Sequence, residues 1–271
     1  MTILRLSDTT DSRLKAYTSL TNHQLRNSLD PARGVAIVES QIAIRVALAH
    51  GVEPLSLLLD ERRVETMADV LEGLPSDVPV FVLPPEEAQR LTGYRVTRGA
   101  LCAVRRPALP SMANLLDDAQ RVVVLEGITD TSNVGAVFRN AAALGADTVI
   151  VAPSCADPFS RRAIRVSMGN VFLIRWSYAE GPWPYSLFDE LEARGFVRIA
   201  LALDDNACSL RGMREQVGER VALFFGAEGS GLSEEVIGGC DKTAIIPMAS
   251  GVDSLNVAAS TAVAMWELFG A

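Results

Sequence analysis

Histidine, lysine and cysteine are all scarce in this chain of 271 residues. The two histidines are His23 and His50, and the four cysteines, Cys102, Cys155, Cys208 and Cys240, are scattered with no C-x-x-C pair. A zinc cage and a disulfide framework both lack their raw material, so we expect no metal and a reduced, cytoplasmic setting. No apolar run approaches the ~18 residues that a membrane span needs. The N-terminal MTILRLSDTTDSRLK meets charge too early to hold a signal-peptide core, so neither membrane residence nor secretion is expected.

Positive charge is also in deficit. Against 33 acidic residues stand 25 basic ones, a net charge of −8. Such a chain repels polyphosphate at long range, which argues against nonspecific nucleic-acid binding. Only Lys15 and Lys242 are lysines, and the remaining basic residues are arginines, whose planar fork suits bidentate phosphate contacts. Contact with RNA would have to come from local patches such as Arg62–Arg63, Arg105–Arg106 and Arg161–Arg162–Arg165. Each of these also reads as an ordinary solvated face. The composition, 49% hydrophobic and 21% charged, is that of a globular protein, and the length suits roughly two domains.

Two α/β patterns follow one another. In the first, VESQIAIRVALAHG (38–51) has helical spacing and stops at Gly51, LSLLLD (55–60) and PVFVLP (79–84) read as strands, and PEEAQRLTG as a helix opened by proline. GALCAVRRP (99–107) is a third strand. The stretch RRPALPSMANLLDD (105–118) carries two prolines and no strand pattern, which makes 107–118 a linker between a domain 1–106 and a domain 119–271. In the second pattern, RVVVLEG, DTVIVAP, VFLIRW, VRIALAL, RVALFFG and KTAIIPM are strand-length apolar runs separated by helical segments. Runs apolar on both faces predict a mainly parallel six-stranded sheet covered on both sides, with ligands in the loops beyond the carboxyl ends of the strands.

Three of those loops carry polar residues. In LEGITDTSNVGAVFRNAAALGAD (125–147), Ser132 or Asn133 is a natural N-cap, with Arg139 and Asn140 further along the helix. In LFFGAEGSGLSEEV (223–236), Gly226, Gly229 and Gly231 permit close approach to a ligand. Glu228 there disfavours a phosphate, and Ser233 is placed to cap the next helix. In IIPMASGVDSLNVAASTAVAMWELF (245–269), Ser254 reads as the N-cap of a final helix rich in small residues, with Asn256 at its start.

Together and in this order, Asn133…Gly135…Arg139-Asn140, Gly226-x-Glu228-Gly229-x-Gly231-Leu232 and Ile246-Pro247-Met248…Gly251-Val252-x-Ser254-Leu255-Asn256-Val257-Ala258 closely resemble the three motifs of the SpoU/TrmH family of RNA ribose methyltransferases in the SPOUT superfamily. The likeness is strong over 119–271. The front part more loosely resembles the small ribosomal-protein-like RNA-binding domain of some members. The resemblance implies an enzyme that transfers a methyl group from S-adenosylmethionine to a ribose 2′-hydroxyl of structured RNA. It implies a C-terminal trefoil knot and a homodimer. Residue by residue, it implies catalytic roles for Asn133, Arg139, Glu228, Ser254 and Asn256, and cofactor contacts from Leu201, Gly226, Gly231, Ile246, Met248 and Leu255. Arg26, Arg33, Arg62, Arg63 and Arg165 are the candidates for RNA phosphate. No histidine lies in a motif, and a guanidinium gives up its proton only above a pKa of ~12. Arg139 is therefore expected to hold phosphate and steady the developing alkoxide while phosphate or water takes the proton.

A separate RNA-binding domain favours ribosomal over transfer RNA and is compatible with rRNA processing or antibiotic resistance. A catalytically silent RNA-binding or assembly factor is one competing reading. A Rossmann-type nucleotide enzyme is another, but LEGITDTSN is not a phosphate-binding glycine loop.

Overall fold

A computed structural model describes residues 2–18, 34–92, 99–204, 206–252 and 254–270. Its contacts divide the chain into two units, Met1–Ala108 with Phe159–Leu173, and Leu109–Pro158 with Ile174–Ala271.

The first unit holds a mixed five-stranded sheet: β1 (Thr2–Arg5), β2 (Val35–Glu39), β3 (Pro54–Asp60), β4 (Pro79–Leu83) and β5 (Ala100–Arg105), in the order β1-β4-β3-β5-β2. The helical pattern assigned to 38–51 divides here. Val35 to Val38 are β-branched or small and buried throughout, so they pair antiparallel with β5. Only after Ser40, whose Oγ accepts from the Ala43 amide at 3.2 Å, does helix α1 (Gln41–Ala49) begin. It closes at His50, with Gly51 in the left-handed region as its spacing implied. Two further helices precede and follow β4: Ala68–Gly73 (α2), and Pro85–Thr92 (α3), the helix expected to open at a proline.

The second unit opens with α4 (Met112–Asp118), inside the stretch assigned to a linker. Ser111 Oγ caps it by accepting from the Asn114 amide at 3.3 Å, and Met112, Leu115 and Leu116 are buried in the same core as Phe188 and Phe224. The prolines at 107 and 110 precede this cap, so the irregular connection shortens to 107–110.

The sheet is parallel and seven-stranded rather than six: β6 (Arg121–Leu125), β7 (Thr148–Val151), β8 (Arg175–Tyr178), β9 (Val197–Leu201), β10 (Cys208–Ser209), β11 (Val221–Phe225) and β12 (Lys242–Ile245). Their order is β10-β12-β9-β11-β6-β7-β8. The added β10 is a two-residue edge strand too short to leave a pattern. The run VFLIRW also reads differently. Val171 and Phe172 sit in a 3₁₀ turn, and the strand starts only at Arg175. Phe172 instead stacks on Phe159 with 5.5 Å between ring centres, and 159–173 packs with the first unit although the sequence pattern ran straight through it. Around the second sheet lie α5 (Thr131–Ala143), α6 (Tyr185–Ala193), α7 (Glu234–Gly239) and α8 (Val257–Phe269).

Candidate active site

Parallel pairing aligns the carboxyl ends of three strands. Leu201 lies opposite both Phe225 and Ala244, so β9, β11 and β12 finish at one level. Beyond them is a cavity of about 630 Å³, within the range of small-molecule sites. All six residues expected to touch a cofactor line it: Leu201, Gly226, Gly231, Ile246, Met248 and Leu255. Glu228, Ser254 and Asn256 line it as well.

The glycine-rich segment forms a tight turn. The Ala227 amide donates to the Gly231 carbonyl at 3.1 Å, and the Gly231 amide donates back to Ala227 at 3.0 Å, with Glu228 at the exposed tip. Gly226 closes the base of the turn: a Cβ there would lie 2.2 Å from the Gly231 carbonyl carbon. Gly229 and Gly231 both take positive φ, which side chains rarely adopt.

Asn256 binds the three motifs together. Its side-chain oxygen accepts from the Ala258 amide at 3.0 Å, so Asn256, and not Ser254, is the N-cap of α8. That bond fixes the amide orientation and turns Nδ2 outward. Nδ2 then donates to Glu228 Oε1 at 2.5 Å and to Asn133 Oδ1 at 3.1 Å, which spends both of its hydrogens. Ser254 is exposed beside the cavity. The α5 start differs too. Its N-cap is Asp130, accepting from the Ser132 amide at 2.6 Å, so Asn133 falls inside the first turn and its side chain is released toward Asn256.

Arg139 stands apart from this cluster. Six residues past Asn133, it is about 9 Å further along α5 and on another face. It is exposed and has no hydrogen bond or ion pair among the described residues. Its neighbour Asn140 is structural: Nδ2 donates to the Ala258 carbonyl at 2.6 Å and to Thr261 Oγ1 at 3.0 Å, fastening α5 to α8. The small residues Ala258 and Thr261 are what allow that approach.

One contributor escaped the sequence reading. Glu126, at the end of β6, accepts from Trp183 Nε1 at 2.7 Å, the Ser233 amide at 2.8 Å and Ser233 Oγ at 2.9 Å. Ser233 caps α7 as expected, so Glu126 holds the far end of the glycine-rich turn. Its only sequence signal was an acidic residue ending an apolar strand before a polar loop.

The lining fits the expected methyl donor. Among the described residues Glu228 is the one charged side chain on the cavity wall, and no arginine or lysine is there to receive a phosphate chain. Apolar side chains, glycine backbone and one carboxylate match a flat base, an amino-acid tail and a sulfonium cation, and they disfavour a nucleotide di- or triphosphate.

The remaining sequence candidates lie elsewhere. Arg26 and Arg33 are outside the described residues. Arg62 is bonded to Asp60, which is 3% exposed, with Nη2 2.5 Å from Oδ2. Burial pushes the Asp60 carboxyl up, but the Arg62 hydrogen bonds outweigh it and hold the group below the usual range. Arg63 packs its stem against the position of Gly99. Arg165 lies 3.5 Å from Glu39 Oε2.

Comparison with known proteins places this geometry in a class. The family model of the SpoU rRNA Methylase family matches residues 120–266. An uncharacterized tRNA/rRNA methyltransferase of Mycobacterium bovis is 38% identical over 96% of this chain and 89% of its own. The 23S rRNA (guanosine(2553)-2′-O)-methyltransferase of Bacillus subtilis is 30% identical over 86% of this chain and 88% of its own. In fold, the chain is similar to an AdoMet-bound rRNA methyltransferase from Sinorhizobium meliloti, with a TM-score of 0.79 and 24% identity over 98% and 97% of the two chains. It is also similar to the SpoU methyltransferase AviRb of Streptomyces viridochromogenes in complex with AdoMet, with a TM-score of 0.77 and 23% identity over 95% and 97%. The chain is an α/β RNA methyltransferase by class, and it belongs to the SpoU rRNA methylase family.

Proposed function

We propose that this protein methylates a ribose 2′-hydroxyl of structured RNA, ribosomal RNA before transfer RNA, with S-adenosylmethionine as donor. The observation that carries the reading is the Asn133–Asn256–Glu228 bridge at the mouth of a cavity whose wall bears a carboxylate and no cation. A retired site held only for RNA binding has no use for that bridge. The relatives named as ribose methyltransferases act on 23S rRNA, which favours the ribosomal substrate.

Bound in the cavity, S-adenosylmethionine supplies an activated methyl group. The chain's own residues orient it and the sugar. Gly226, Ile246 and Leu255 offer backbone and apolar surface to the donor, with Leu201, Gly231 and Met248 alongside. Because Asn256 is fully committed, it positions its neighbours instead of touching the ribose. It leaves the Asn133 amide hydrogens, the second Glu228 oxygen and Ser254 Oγ to hold the sugar. An aligned hydroxyl about 3 Å from the methyl carbon is most of what the reaction requires. Arg139, on another face of α5 from that cluster, meets a backbone phosphate of the RNA, while water or phosphate accepts the proton and no metal is needed. The first unit, Met1–Ala108 with Phe159–Leu173, serves as the RNA-gripping domain.

Three finer features belong to the same proposal: a knotted C-terminal segment, a cytoplasmic home and a homodimer. The dimer is supported by the exposed apolar face of α8, where Trp266 is 68% exposed beside Val263.

Mapping 2′-O-methyl positions in ribosomal and transfer RNA from cells with and without the protein tests the reading. One ribosomal position should lose its methyl group, and an unchanged map of both RNAs overturns the proposal. For the proton, single-turnover rates of Arg139→Lys and Arg139→Ala decide. A lysine variant active only where lysine is deprotonated would make this residue the base.

A further inference from the structure

The two arginine groups that lie more than fifty residues apart in the sequence, Arg105–Arg106 and Arg161–Arg162–Arg165, belong to one unit. The short helix Arg161–Val166 packs against β2, the strand that pairs with β5, and β5 ends at Arg105. Arg106 lies over the ring of Phe159, 4.9 Å from its centre, one residue before the helix cap Ser160. At the other end of β2, Glu39 meets the helix: its Oε2 is 3.0 Å from Arg161 Nε and 3.5 Å from Arg165 Nη1. Val35, opposite Arg105, and Glu39 are four residues apart on that strand, roughly 13 Å along it.

The charge count along this strip is unequal. Glu39 is 7% exposed and carries one negative charge against two guanidinium groups. Each guanidinium has five N–H donors, and Glu39 is the one acceptor that Arg161 and Arg165 reach among the described residues. Arg162 is exposed and has no partner there. Glu39 therefore locks two arginine forks in place without neutralising them, on a chain whose overall charge is −8. Preorganised forks with spare donors suit phosphate oxygens, which accept such forks bidentately.

We infer that Arg161, Arg162 and Arg165, with Arg106 beside them, form the surface that holds backbone phosphates of the RNA substrate. This rests on the methyltransferase reading and assigns the grip to this strip instead of Arg62. Recognition is of the phosphate chain, which fixes register and carries no base sequence. Glu39 is a positioning residue that keeps the arginine forks extended.

The test uses the full-length chain and protein-free ribosomal RNA. Arg162→Glu with Arg165→Gln leaves Arg161 on Glu39. Its RNA Kd should rise at least about tenfold, and the slope of log K against log salt should fall by about 0.7 for each phosphate that the variant no longer holds. Calorimetric affinity for S-adenosylmethionine should stay at the wild-type value. If the double variant melts early, Arg162→Glu alone, which breaks no bond among the described residues, carries the same expectation scaled to a single phosphate. Arg62→Gln should leave the salt slope unchanged. A wild-type Kd and slope in the strip variants, with methyl transfer intact, overturns this inference and spares the methyltransferase reading. An equal fall in slope for Arg62→Gln overturns it as well. Failure of the wild-type protein to bind ribosomal RNA at all removes both.

Discussion

Replacing Gly226 by alanine tests how tightly the glycine-rich turn is built. An added Cβ would lie 2.2 Å from the Gly231 carbonyl carbon, 2.3 Å from its oxygen and 2.3 Å from the Leu232 amide. All three are backbone atoms, so no side chain can swing aside. Restoring ordinary contact at 3.4 Å means opening the turn by about 1.2 Å (3.4 − 2.2). Overpacking of this kind costs about 1–3 kcal/mol. A shift near 1 Å in a positioning element costs roughly 10²-fold in rate. Gly226→Ala should therefore melt a few degrees lower, bind S-adenosylmethionine at least about tenfold more weakly by calorimetry, and transfer methyl groups roughly 10²-fold more slowly. Gly238→Ala is the control. It lies in α7, where a Cβ meets nothing within 4 Å, and should be neutral or stabilising by about 0.4–1 kcal/mol. Wild-type cofactor affinity in Gly226→Ala would show that the turn yields freely and that the close approach is not what shapes the cavity.

Other consequences follow from single contacts. Asn256→Asp keeps the oxygen that caps α8 but sets a second carboxylate against Glu228. Its methyl-transfer kcat should fall at least tenfold, whereas Asn256→Ala should also lose about 0.5–2 kcal/mol of stability with the cap, read by chemical denaturation. In Glu126→Gln the amide oxygen can still accept from Trp183 and the Ser233 hydroxyl, but the NH2 group in place of the other oxygen cannot accept from the Ser233 amide. The KM for S-adenosylmethionine should rise while kcat changes little, and an unchanged KM would deny Glu126 its positioning role. Burial pushes the thiols of Cys102 and Cys240 up to about 12 and that of Cys155 up to about 11, whereas Cys208 is exposed. Because the thiolate is the reactive form, iodoacetamide near pH 7.5 should modify one thiol per native chain at Cys208 and all four once the protein is unfolded, counted by mass spectrometry.

What could be read from the sequence was whatever depended on neighbours in the chain. Six apolar runs announced a parallel sheet, and the polar loops after β11 and β12 supply most of the cavity lining, with Asn133 from the start of α5 meeting Asn256 there. What could not be read depended on distant partners. Ser254 and Asn256 are both good caps, and only Glu228 and Asn133 across the site decide that Asn256 takes the position. Glu126 has partners 57 and 107 residues away, so no local pattern marks it. The run 171–176 is apolar because Val171 and Phe172 are packed in the first unit, and burial of that kind cannot be told from a strand by composition. The helix 112–118 was hidden by the prolines before it, although Ser111 and the 112, 115, 116 spacing carried its signature. Arg62 and Arg165 look alike in sequence. They separate only when Asp60 pairs with Arg62 and Glu39 is shared between Arg165 and Arg161.

Incubating the purified chain with S-adenosylmethionine labelled in its methyl group and unmodified ribosomal RNA, then digesting the RNA to nucleosides for mass spectrometry, addresses the central claim most directly. The account predicts label in a single 2′-O-methylnucleoside, incorporated at least about tenfold more slowly in Asn256→Asp. Label on a base, or none in any nucleoside, would contradict it.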